Sequence, residues 1–251
     1  MKKIKELLVI IPHSGLKRPK EIKPSWLSKY NYQLIYSPKC ETDRGTKELY
    51  DFRKILGNKQ LVFPFSQIYI NICRHPKKLD KVIPTFIRKN PVYKKGKEPS
   101  IKLRKKLLKK YYFPFYEKIK KARKSLILNG HSMVVGHESL GKEKLKEDIV
   151  ISDWMKLDGH FIRFAPKKLA DFYAKELRKR LPELKIGRNS VYTSSYDYIC
   201  YKFGKNGKIP VIHQETEESL YMNGNKIDRK KLETLRKAFA ESLKATINFR
   251  N

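Results

Sequence analysis

The chain has 251 residues, with 58 lysines and arginines against 25 acids and a formal charge of +33. With 40% hydrophobic and 12% aromatic residues it is not a disordered polycation, and a chain of this length buries roughly 70–75% of its unfolded surface without a disulfide or structural metal. The longest aliphatic run, Leu7 to Ile11, is far short of the ~20 residues of a membrane helix and too short for a signal-peptide core.

Short apolar runs predict strands at Leu7–Ile11, Gln33–Tyr36, Gln67–Cys73, Ser125–Asn129, Val191–Ile199 and Ile209–Gln214. Helical spacing alternates with them. Thr46–Leu56 puts Leu49, Phe52 and Leu56 on one side. Pro84–Pro99, with its prolines, glycine and lysines, predicts a loop, and Gly136–Asp148 a mobile flap. From Lys102 to Lys124, apolar residues recur mostly at intervals of three, four or seven, so the lysines fall on the solvated face of a helix. Pro166 suits a first helical position, and Leu169, Tyr173, Leu177 and Leu181 then repeat every four residues until Pro182. Asp228 is the N-cap of a last helix with Leu232, Leu235, Phe239 and Leu243 inward. Strands alternating with helices imply an α/β fold with a mixed, partly parallel sheet.

Cys40, Cys73 and Cys200 are odd in number and form no CxxC pair, which points to a reducing, cytoplasmic compartment. The charge suits a polyanion, but it is spread along the whole chain, and no zinc-finger spacing or RRM-like aromatic motif accompanies it.

His13, Arg74, His131 and Glu215 each stand where a predicted strand ends, the place where open α/β sheets bind ligands. Alternation puts Asn129 with His131 on one face of their strand, and His213 with Glu215 on one face of theirs. Two imidazoles and a carboxylate suit zinc with a fourth position for water, a further glutamate could take a proton from that water, and an arginine could grip a substrate carboxylate. No Gly-x-Ser-x-Gly elbow accompanies Ser14 or Ser132, so a serine hydrolase is rejected.

Six segments, in order, resemble motifs of the N-formylglutamate amidohydrolase family. They are Ile11-Pro12-His13-Ser14-Gly15, Asp43-Arg44-Gly45-Thr46-Lys47-Glu48-Leu49-Tyr50, Asn71-Ile72-Cys73-Arg74-His75-Pro76, Tyr111-Tyr112-Phe113-Pro114-Phe115, Asn129-Gly130-His131-Ser132-Met133, and the stretch from Gln214 to Met222. The resemblance implies a single domain over residues 1–251 with the three-layer α/β sandwich of zinc carboxypeptidases and aspartoacylases, a sheet flanked by helices. It implies one zinc ion and hydrolysis of an amide on an N-formyl or N-acyl acidic amino acid or a related small substrate.

Carried over residue by residue, His13, His131 and Asp43 become metal ligands, although Asp43 also stands where a helix N-cap would. Glu215 becomes the general base, with Glu217 and Glu218 as competing acids nearby. Arg74 would bind the substrate carboxylate or steady the oxyanion, with Tyr196 and His213 lining the substrate pocket and Asn129 and Ser132 supporting the ligands. The chain departs from the family pattern where Asn129 replaces an aspartate, where Asn-Ile-Cys-Arg replaces Asp-Leu-Asn-Arg, and where Ser194-Ser195-Tyr196-Asp197 stands for Asn-Pro-Tyr-x-Gly. Such departures suit a changed substrate. With the charge, they also suit the alternative of a basic nucleic-acid-binding protein on a catalytically weakened hydrolase scaffold.

Overall fold

Leu7–Ile11 forms a strand in which every residue is buried, as a continuous aliphatic run requires when both faces of a sheet are covered. It belongs to a six-stranded sheet whose spatial order is Lys59–Val62, Leu7–Ile11, Leu126–Met133, Val211–Glu217, Ile149–Ser152 and Ile186–Arg188. The computed structural model describes residues 6–37, 41–134, 147–157, 159–190, 197–205 and 208–250. Packing divides the chain into two units. One comprises Met1–Ile11, Arg44–Leu61 and Arg123–Asn251; the other comprises Pro12–Asp43 and Val62–Ala122.

The first unit carries the sheet. Leu126–Met133 pairs in parallel with Leu7–Ile11 on one side and Val211–Glu217 on the other. Ile149–Ser152 runs antiparallel to Val211–Glu217 and parallel to Ile186–Arg188. The sheet is therefore mixed and mostly parallel and is flanked by helices, the α/β architecture expected from the sequence. Pro166 is the N-cap of helix Lys167–Arg180, which buries Leu169, Ala170, Tyr173, Ala174 and Leu177 and ends just before Pro182. Arg178, Lys179 and Arg180 fill its last turn, where cations complement the exposed carbonyls. Asp228 Oδ1 accepts from the Lys231 N–H at 3.1 Å and caps helix Arg229–Arg250 as anticipated. No described helix is long and apolar enough to cross a membrane.

In the second unit the lysine-rich segment is three pieces: helix Ile101–Leu107, a π-turn Leu108–Tyr112, and helix Phe113–Lys121. Pro114 supplies the reason. Its ring lacks an N–H and clashes with the carbonyl four residues back, and widening the preceding turn relieves both conflicts. Tyr112 and Tyr116 in this segment donate to the Arg74 and Ile72 carbonyls at 2.7 and 2.6 Å, anchoring the turn that carries Arg74.

Several expected elements differ. Gln33–Tyr36 lies in helix Asn31–Tyr36, and Gln67–Cys73 is a run of turns in which the Tyr69 and Ile70 N–H groups bond to Ser66 O. Both are short apolar runs, whose periodicity does not separate a strand from a buried turn or helix. Thr46–Leu56 is two short helices, Thr46–Leu49 and Arg53–Leu56. Pro84–Pro99 contains a two-stranded pair, Phe86–Ile87 with Asn90–Pro91. Most of the expected flap, and residues 191–196 of the expected strand, lie outside the described residues.

Candidate functional site

In the second unit, His13 follows the strand Leu7–Ile11, and its carbonyl accepts from the Asp43 N–H at 3.1 Å. That backbone bond brings the side chains together, with His13 Nδ1 3.8 Å from Asp43 Oδ2. The other ring nitrogen, Nε2, lies 3.3 Å from Asn71 Oδ1. The same Oδ1 accepts from the Cys73 N–H at 3.0 Å, and Asn71 Nδ2 donates to Gln67 Oε1 at 3.1 Å. These bonds fix the amide orientation, so His13 carries a proton on Nε2, and the neutral ring has its lone pair on Nδ1, toward Asp43. Gly15 completes the turn because the Phe63–Phe65 backbone crosses it: a Cβ there would come within 2.4 Å of Phe63 O. Arg74 sits on the turn after Cys73 rather than at a strand end, and its charge acts on half-buried Glu41. Burial raises the Glu41 carboxyl above its ordinary range, against the opposing pull of Arg88 and Arg74.

In the first unit, His131 and Glu215 are within strands rather than after them. The parallel register pairs His213 with Asn129 and Glu215 with His131, so four polar side chains project from one face of two adjacent strands. The rings of His131 and His213 stack at 4.6 Å. His213 Nε2 lies 3.1 Å from Glu215 Oε1. Asn129 Nδ2 donates to Asp197 Oδ2 at 3.0 Å and lies 3.3 Å from His213 Nδ1. Asp197 Oδ2 is also 3.6 Å from His131 Nε2, and its Oδ1 accepts from the N–H groups of Ile199 and Cys200 at 2.7 and 3.1 Å. Burial pulls the Asp197 carboxyl upward, but the neighbouring imidazoles of His131 and His213 and the Cys200 N–H outweigh it and hold the group well below the ordinary carboxylate range.

His131, Asp197 and His213 also bring ligand atoms within 4.8 Å of one another. Asn129 Nδ2 already bridges the Asp197 and His213 atoms, so a cation between them would face an amide donor rather than a lone pair. The trio is better described as a hydrogen-bonded network than as a ligand shell.

The opposite face of the same strands is structural. A Cβ on Gly130 would stand 2.8 Å from the Tyr50 ring, and Tyr50 OH donates to the His131 carbonyl at 2.9 Å. Ser132 donates to Glu218 Oε1 at 2.9 Å, while Arg44 meets Glu218 Oε2 through Nε and Nη2 at 2.9 and 2.6 Å. Glu218 is thus engaged by Arg44 and Ser132, although burial still raises its carboxyl above the ordinary range. Ser219 donates to Glu217. Glu215 is the acid of the three that faces the histidines.

A family model for N-formylglutamate amidohydrolase matches residues 5–222. The chain belongs to the N-formylglutamate amidohydrolase family. Among solved structures it is similar to N-formylglutamate amidohydrolase from Ralstonia eutropha JMP134, at 18% identity and a TM-score of 0.75 over 99% of this chain and 95% of that one. It is also similar to gene product Atu2144 from Agrobacterium tumefaciens, at 12% identity and a TM-score of 0.67 over 98% and 92% of the two chains. At these identities the likeness is one of fold. No curated protein sequence matches the chain.

Within the first unit the structure brings Asn129, His131, His213 and Glu215 together, and within the second it brings His13 to Asp43. Tyr196 lies outside the described residues. Two participants were not assigned roles from the sequence. Asn71 was only a letter in a motif, and Asp197 was only the tail of a degraded one. The signal for Asp197 was the asparagine at position 129: its buried amide calls for an acceptor.

Proposed function

We propose that this protein hydrolyses the amide bond of an N-formyl or N-acyl acidic amino acid, or a related small substrate, with one zinc ion held by His13, His131 and Asp43. Imidazole and carboxylate are the donors that zinc takes, and the Asn71 bond to His13 is the kind of outer contact that orients a ligand histidine. When bound, zinc polarises the amide carbonyl and makes a water molecule acidic enough to attack it near neutral pH.

The chain's own groups do the rest. Glu215 takes the proton of the attacking water on its carboxylate and delivers it to the leaving amine. Its distance of 3.1 Å from His213 Nε2 holds one oxygen in place. Arg74 offers a guanidinium fork to the acidic group of the substrate. The carrying observation is the register that puts Glu215 beside His131 on one sheet face within a chain of this family.

The test is a panel of N-formyl and N-acetyl derivatives of glutamate, aspartate and neutral amino acids, with liberated amine measured before and after removal of metal. Turnover of acidic members, lost on metal removal and restored by zinc, supports the reading. Turnover of none, with zinc supplied, removes it.

A further inference from the structure

Asn129 is fully buried in the first unit, and its amide nitrogen is close to three acceptors: Asp197 Oδ2 at 3.0 Å, His213 Nδ1 at 3.3 Å and Cys200 Sγ at 3.7 Å. The assignment of nitrogen rather than oxygen to this position follows from Asp197. A carbonyl oxygen facing a carboxylate oxygen at 3.0 Å would place two acceptors against each other in a buried site. Asp197 is itself held by two backbone N–H groups, so the amide is oriented by a fixed carboxylate.

The next link follows from donor counting. An amide N–H₂ only donates, so His213 Nδ1 must accept. Cys200 Sγ, 3.9 Å from the same nitrogen, is compatible, because a thiol is a weak donor. With Nδ1 accepting, a neutral His213 carries its proton on Nε2, the atom 3.1 Å from Glu215 Oε1.

We infer that Asp197 and Asn129 are positioning residues that hold His213 in its Nε2–H tautomer, so that His213 donates to Glu215 and fixes that carboxylate for proton transfer. The inference rests on the reading of Glu215 as the base. It explains why an amide stands at position 129 and the carboxylate at 197. Were the two exchanged, an acceptor would face His213 Nδ1, the imidazole proton would move to that nitrogen, and Nε2 would have no hydrogen for Glu215.

That exchange is the experiment. The double variant Asn129→Asp with Asp197→Asn keeps atom types, volume and net charge, and preserves an amide–carboxylate bond between the two positions. Long-range ¹H–¹⁵N NMR of the full-length protein is expected to place the His213 proton on Nε2 in wild type and on Nδ1 in the double variant. With N-formyl-L-glutamate as probe and zinc supplied, kcat is expected to fall by about 10–100-fold with KM and zinc content little changed, the scale typical of losing an outer-shell partner. A wild-type proton on Nδ1, or a double variant that turns over like wild type, would overturn the inference. The wild-type spectrum decides the tautomer even if the double variant does not fold. If wild type hydrolyses none of the acyl amino acids, the proposed function fails, while the spectrum still decides the tautomer.

Discussion

Glu215 and His131 are register partners on adjacent parallel strands, so a carboxylate and an imidazole project side by side from one buried sheet face. Two bare polar groups there would be expensive. The cost is offset because His213, in the next matched pair, partners Glu215 at 3.1 Å and the Asp197 carboxylate stands 3.6 Å from the His131 ring.

Replacing Glu215 with glutamine keeps its shape and an oxygen to accept from His213 but removes the base. We expect kcat to fall by about 10²–10⁴-fold, the range for loss of general base catalysis, with zinc content and melting temperature near wild type. A variant as active as wild type would show that another group takes the proton.

Asn71→Leu should act through His13. Without the acceptor on Nε2, the ring loses its fixed tautomer, and zinc affinity should drop by about 10–100-fold. Competition with a chromophoric chelator measures this directly; unchanged affinity would remove His13 from the ligand set or Asn71 from its support.

Glu218→Gln tests whether the Arg44 pair is structural. Breaking a buried ion pair from one side costs about 3–5 kcal/mol, and partial exposure of Arg44 places the expectation at the lower end. Denaturant unfolding should show that loss, while activity per folded molecule stays near wild type. A large drop in kcat without a drop in stability would make Glu218, not Glu215, the acid of interest.

Gly130→Ala tests the back of the site. The added methyl meets the Tyr50 ring at 2.8 Å, and overpacking of this kind costs about 1–3 kcal/mol. Combination with Tyr50→Leu should recover part of that loss in thermal unfolding, and no recovery would show that the ring is not the obstacle.

How much of this was legible in the sequence follows from the kind of signal each residue gives. The helices Lys167–Arg180 and Arg229–Arg250 were readable because Pro166, Pro182 and Asp228 mark their ends and leucines repeat along one face. Alternation correctly put Asn129 with His131 and His213 with Glu215, because a two-residue period survives polar substitution. Arg74 was given a strand end and lies on a turn, since Ile68–Cys73 is apolar through burial in turns rather than through pairing. Asp197 and Asn71 escaped because their roles depend on partners far away in the chain, and no local spacing encodes an acceptor for the Asn129 amide or an acceptor for the His13 imidazole.

Zinc-assisted hydrolysis through His131 stands or falls on elemental analysis of purified wild type and His131→Ala, beside their turnover of N-formyl-L-glutamate and N-acetyl-L-glutamate. Near-stoichiometric zinc and turnover are expected in wild type, with both lost in the variant while the fold persists. Wild type without metal, and without gain on adding zinc, would contradict it.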